Sequence, residues 1–125
     1  MSFDFDKMYC GVIRRGDIML CEYKKKERAI VILQDNILNE SLPIIVSALI
    51  RPFKEGGEVF PNEVLLRKEK TGLGKDGICM LYKILTVDRR LINSKKGELS
   101  MEKLQEVYRA MDINLGRFRE NENIV

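Results

Sequence analysis

Two apolar runs, residues 29–34 (AIVILQ) and 44–50 (IIVSALI), constrain this chain more than any other feature. Each is close to continuous rather than amphipathic. Each is too short for an ordinary helix and far short of the ~20 residues that cross a bilayer. They read as strands, the second buried on both faces by its composition, so the fold needs a sheet with apolar cover on each side. The rest of the pattern suits that sheet. After a turn-like Arg14-Arg15-Gly16-Asp17, residues 18–23 read as a strand, and residues 24–28 (KKKER) as a hairpin with a basic tip. Residues 35–43 can hold one helical turn, and Pro52 with Gly56-Gly57 ends the third strand. Residues 62–67 make a fourth. Turns at Gly72-Leu73-Gly74 and Asp76-Gly77 precede a fifth, over 78–82 and extending to 87.

The period then changes. Ser100 is placed to cap a helix whose Met101, Leu104, Val107, Tyr108, Met111 and Leu115 fall on one face, and Gly116 is placed to stop it. Such a stripe serves as core and covers the sheet. Residues 117–125 lose the periodicity and are expected to fray. With 125 residues, 14.5 kDa, no repeat and no linker, the chain is expected to form a single domain, mainly β with a C-terminal helix.

Composition narrows the chemistry. The chain has no histidine, which excludes His-dependent serine, cysteine and zinc hydrolases. Cys10, Cys21 and Cys79 are odd in number and lack CxxC spacing, so they are expected to be buried thiols without metal or disulfide. The start, MSFDFDKMYC, lacks a signal peptide's basic and apolar regions, so a cytoplasmic location is expected, with no membrane contact and no cofactor. The net charge of +3 is unevenly spread. Residues 14–28 and 71–95 together carry +6 while the remainder sums to −3, so a fold that joins the two segments has a cationic face. No helix-turn-helix is visible to suggest a DNA reader.

Four ordered stretches carry a resemblance: RRGDIMLCEY at 14–23, ERAIVILQDNILNESLPIIVSALI at 27–50, GLGKDGICMLYKILTVDRRL at 72–91 and GELSMEKLQEVYRAMDINLG at 97–116. The chain resembles the MazF/PemK family of toxin endoribonucleases, with residues 1–13 and 117–125 as extensions. The resemblance implies an SH3-like barrel of the CcdB-like type and a homodimer. It further implies metal-independent cleavage of single-stranded RNA at short motifs, and neutralisation by a cognate antitoxin. A gyrase poison of the related CcdB kind is disfavoured, since the chain has no tryptophan.

Cleaving RNA without metal or histidine uses the neighbouring 2′-OH as nucleophile, so the site must stabilise phosphorane charge and move protons. Arginine suits the first task through its planar fork. Arg28 matches the family arginine before the second strand, although Ala29 stands where the family has proline. The family threonine at the end of the third strand is replaced by Ile50 or by Arg51, according to where a one-residue gap falls. Ser47 points to the face opposite Ile50 and cannot stand in. Arg51 or Lys83 is then the compensating group. Against the family's Q-I-R-T-I/V-D, residues 83–88 read KILTVD, with Leu85 replacing an arginine and Thr86 and Asp88 retained. Asp88 reads either as a proton acceptor or as a turn carboxylate paired with Arg89 or Arg90. Candidate RNA contacts are Arg15, Lys24, Lys25, Lys26, Gln34, Lys83, Thr86, Arg89 and Arg90. The loop at 24–27 is shorter than the family's G-S-E-Q loop, which implies a shallower groove. Two functions follow: an endoribonuclease with an atypical site, or a weak or silent homologue that binds RNA or an antitoxin peptide.

Overall fold

The structure, a computed structural model, describes residues 5–119. Six strands and three helices follow one another as β1 (Asp17–Tyr23), β2 (Lys26–Ile32), α1 (Asn36–Ser41), β3 (Ile44–Pro52), β4 (Glu63–Leu66), α2 (Lys68–Thr71), β5 (Gly77–Asp88), β6 (Ile92–Glu98) and α3 (Met101–Leu115). The strands form one antiparallel sheet in the order β4-β5-β3-β2-β1-β6, curled into a half-barrel.

Each face of the sheet carries a buried core, as the unbroken apolar runs require. On one face Met19, Cys21, Ile30, Ile32, Ile45, Leu85 and Val87 form a cluster completed by Ile13 and Ile92. On the other, Ile18, Val31, Ala48, Val64, Leu66, Cys79 and Leu81 pack beneath Val107 and Ala110 of α3. Successive residues of β2 therefore feed two different cores, which is why the strand shows no polar alternation.

Helix α3 begins and ends as its sequence predicts. The Ser100 hydroxyl oxygen accepts the Lys103 N–H at 3.1 Å, and Gly116 takes φ +69°. Its buried stripe is narrower than the periodicity suggests: Leu104, Val107 and Ala110 are buried, whereas Met101 and Leu115 at the two ends are exposed. The helix ends simply extend past the sheet.

Three other expectations need correction. The β1–β2 turn is only Lys24-Lys25, both in the left-handed region at φ 52° and 64°, so β2 starts at Lys26 and Arg28 sits within a strand, paired with Cys21. A sixth strand, INSKKGE, was hidden by its polar composition. It forms a sheet edge on β1, where lysines are the usual protection against strand addition. Cys10 is exposed, and only Cys21 and Cys79 are buried. Residues 117–119 form a 3-10 turn, and the remainder of the expected frayed tail lies outside the described residues. Among the described residues no helix is long and apolar enough to cross a membrane.

Two features shape the cleft described below. β5 breaks register between Cys79 and Ile84, so its first half pairs with β4 and the end of β3 while its second half pairs with the start of β3. At the opposite wall, the α2 turn lies directly against the β6 backbone. A Cβ on Gly72, which has φ +72°, would overlap the Lys96 carbonyl, and one on Gly97 would stand 2.6 Å from the Thr71 carbonyl oxygen.

Candidate functional site

The β2–β3 ladder runs Ile32↔Ser47, Val31↔Ala48, Ile30↔Leu49 and stops there. Continued in register, the next residues on the same face would be Arg28 and Arg51. The strands instead separate, and a cleft of about 490 Å³ opens at the gap, lined by Glu27, Arg28, Ile50, Arg51, Lys75 and Lys96 among others. A second cleft of about 350 Å³ adjoins Arg28 and includes Tyr23, Lys24, Met80 and Lys83. Arg28 is thus common to both clefts. Lys83 reaches its place because the β5 register break carries it toward β2.

The cations here are poorly neutralised. Among the described residues, Arg28, Lys24, Lys75, Lys83 and Lys96 have no carboxylate partner. Lys24 instead lies over the Tyr23 ring, 5.2 Å from its centre. Other charges are paired: Arg67 with Glu55 and with Asp76 of the cleft wall and, away from the clefts, Lys95 with Asp17 and Glu98, and Arg117 with Asp112. Hydrogen bonds from the Lys68 N–H and from Arg67 hold Asp76 below its ordinary pKa despite its burial cost, so that wall carboxylate stays ionised and occupied.

Arg51 is held differently. Its Nε–H donates to Glu63 Oε2 at 3.2 Å and its Nη2 donates to Glu63 Oε1 at 3.1 Å and to the Glu58 carbonyl at 3.2 Å. Glu63 also accepts the Phe60 N–H at 2.9 Å and the Tyr82 hydroxyl at 2.6 Å. Burial pushes the Glu63 carboxyl up, but the hydrogen bonds from Arg51, Phe60 and Tyr82 outweigh it and leave the group below the ordinary glutamate range. Ile50, by contrast, packs against the apolar cluster under α3. Of the two strand-end candidates, Arg51 is therefore the one on the face that Arg28 shares. Ser47 lies on the other side of β3 from Ile50, fully buried, with its hydroxyl donating to the Leu85 carbonyl at 2.8 Å.

The structure does not bring the remaining sequence candidates to this place. Asp88 pairs with Ile44 at the opposite end of β3, seven residues or roughly 20 Å of strand from Arg51. There it caps a 3-10 turn and binds Arg90 through side chain and backbone; those bonds, the side-chain one foremost, hold its pKa down. Arg89 donates to the Asn39 and Gly11 carbonyls. Gln34 is buried and bridges the β3 backbone at Ile44 and Val46. Thr86 is exposed opposite Val46, and Arg15 stacks on Tyr108 of α3 at 5.4 Å. Lys25 and Lys26 line a separate hollow with Asp6 and Glu22. The fold thus draws Lys24, Arg28, Lys75 and Lys83 from the two basic segments, adds Arg51 and Lys96, and sends the other arginines elsewhere.

Five residues were not singled out by the sequence: Glu27, Lys75, Lys96, Glu63 and Tyr82. A carboxylate opening the otherwise apolar EVLL strand was the available signal for Glu63. The two buried cysteines offer no ready nucleophile. Burial pushes the Cys21 thiol up to about 11, only partly offset by Arg28, and the Cys79 thiol up to about 12. Among the described residues no group of three or more Cys, Asp or Glu side chains is placed to hold a metal ion.

Comparison with known proteins agrees with this architecture. Residues 14–115 match the family model described as PemK-like, MazF-like toxin of type II toxin-antitoxin system. The chain is 32% identical over 112 residues to endoribonuclease MazF of Staphylococcus epidermidis, an alignment covering 84% of this chain and 92% of that protein. In fold it is similar to an endoribonuclease solved in complex with its cognate antitoxin from a mycobacterial species (TM-score 0.73, 16% identity, 83% of this chain and 95% of that one). It is also similar to MazF in a MazE–MazF complex from Deinococcus radiodurans (TM-score 0.67, 20% identity, 85% and 98% covered).

Proposed function

Because the chain belongs to the family of PemK-like, MazF-like toxins of type II toxin-antitoxin systems, we propose that it is a metal-independent endoribonuclease acting at the cleft around Arg28. The observation that carries this reading is the unpaired guanidinium of Arg28, standing where two clefts meet and flanked by Lys24, Lys75, Lys83 and Lys96. Unneutralised cations lining two adjoining clefts call for a polyanion such as single-stranded RNA.

In the proposed reaction the 2′-oxygen attacks the adjacent phosphorus. A 2′-O–P bond forms, the P–O5′ bond breaks, and the products are a 2′,3′-cyclic phosphate and a 5′-OH. The 2′-OH proton leaves to an acceptor while the 5′-oxygen takes one up. Glu27, which lines the larger cleft without an ion pair, is the acceptor the cleft offers in place of the distant Asp88. Arg28 stabilises charge growing on the non-bridging oxygens. Selectivity for a short motif would arise from bases splayed against the cleft walls.

The chain is read as one domain that works in the cytoplasm as a homodimer, and its cognate antitoxin would cover the same cationic cleft. Exposed Ile37, Leu38 and Leu42 lead from α1 into Ile44, and Ile84 is exposed on the same sheet face as Ile44, an apolar surface suited to self-association.

Incubating pure protein with total RNA in EDTA tests the reading. Fragments ending in cyclic phosphate are expected from the wild type and not from Arg28→Ala. RNA binding without any cleavage would instead favour the silent homologue.

A further inference from the structure

Glu63 opens β4 with a side chain that has no solvent access, and donors from β3, β5 and the preceding loop converge on it. A buried ion pair is a poor way to hold three strands together, since apolar residues of similar volume commonly do so as well or better. Tyr82 reaches Glu63 from the stretch of β5 where the register breaks, and such bulges re-aim side chains next to functional sites. The cluster does achieve orientation. It grips the Arg51 guanidinium by Nε and Nη2, and among the described residues nothing accepts from Nη1. Arg51 keeps 35% of its side chain exposed, and it lines the cleft it shares with Arg28.

Resting on the reading that this cleft cleaves RNA, we propose that Glu63 and Tyr82 are positioning residues. They hold Arg51 so that its free N–H edge takes a non-bridging oxygen of the phosphate bound by Arg28. At the end of β3 a guanidinium fixed from behind then supplies the donor that a hydroxyl would otherwise give. Tyr82 acts through Glu63: by occupying one lone pair of Oε2 it restricts the carboxylate to the orientation in which both oxygens face Arg51.

The test is cleavage of a long single-stranded transcript of mixed sequence, in EDTA, by wild type, Arg28→Ala, Arg51→Ala, Glu63→Gln and Tyr82→Phe, with thermal melting of each. Misplacing a reacting partner can cost up to about 10²-fold. Glu63→Gln should therefore lower kcat by about tenfold, and Tyr82→Phe by about threefold, with KM changed less than twofold. In the Arg51→Ala background neither substitution should lower kcat further, because the group they position is gone. Tyr82→Phe keeps the proposal open to refutation if Glu63→Gln does not fold. Wild-type kcat in folded Tyr82→Phe and Glu63→Gln, with Arg28→Ala inactive, would overturn the positioning role alone. Losses that multiply with Arg51→Ala would do the same. A wild type that binds the transcript but never cuts it would overturn both this inference and the reading beneath it.

Discussion

Arg28 shows how one substitution can separate binding from chemistry. It is one of five cations lining the two clefts without a carboxylate partner, so Arg28→Ala should weaken RNA binding only modestly. Cleavage should fall by about 10²–10³-fold, the usual cost of deleting a transition-state donor. Gel-shift titration beside a cleavage time course reads both, and equal cleavage by variant and wild type would move the site elsewhere. Glu63 carries the pH dependence. Its folded pKa lies below the ordinary glutamate value of about 4.3, so its contribution to stability is complete above that pH and is lost as pH falls through the folded value. Melting temperatures of wild type and Glu63→Gln should differ near neutrality and converge as pH falls from the ordinary glutamate value through the lower folded one. A gap that stays constant across that whole acid range would mean that Glu63 does not titrate with folding.

The elements decide which cations act together. Lys24 and Lys83 border Arg28, whereas Lys25 and Lys26 face a different hollow across the hairpin. Replacing Lys24 and Lys83 with alanine should each reduce the slope of log affinity against log salt by about 0.7 for single-stranded RNA. The Lys25→Ala, Lys26→Ala double variant should leave it unchanged. Filter-binding between low and moderate salt distinguishes these, and the reverse ranking would place the RNA on the other side of β2. The far wall depends on Gly72, whose positive φ and contact with the Lys96 carbonyl leave no room for a Cβ. Gly72→Ala should destabilise the fold by at least about 1 kcal/mol, since it adds backbone strain to a steric overlap. Chemical denaturation measures it, and an unchanged midpoint would show that the α2 turn can move away from β6.

For the whole molecule the expected outcome is a two-fold dimer. The exposed Ile37, Leu38, Leu42 and Ile44 form a patch running from α1 into β3, and none of these four lines the cationic clefts, whereas Ile84 on the same sheet face borders the smaller one. Sedimentation equilibrium at micromolar concentration should give about twice the chain mass of 14.5 kDa. A chain-sized species alone would reject the dimer while leaving the cleft chemistry untouched.

The sequence by itself determined most of the architecture. The runs at 29–34 and 44–50 read as strands, and they are, although β2 ends at Ile32 and Leu33-Gln34 lie beyond it; Ser100 and Gly116 delimit α3 by local backbone chemistry that needs no tertiary partner. It also carried the family and marked Arg28, because residue identity in ordered blocks survives without coordinates. It could not show β6, whose polar residues are those of an edge strand and look like a loop until a partner strand is present. Nor could it separate the basic residues that act together from those that only fold the chain. Asp88, Arg89 and Gln34 match a motif or a charge pattern, yet each spends its polar atoms on holding the fold together at the far end of the sheet. Only the tertiary structure decided that Arg51 rather than Ile50 shares a face with Arg28, and that Glu63 and Tyr82 stand behind it. Those facts depend on where the β2–β3 ladder ends and where β5 breaks register, and strand register is set by packing between residues distant in sequence.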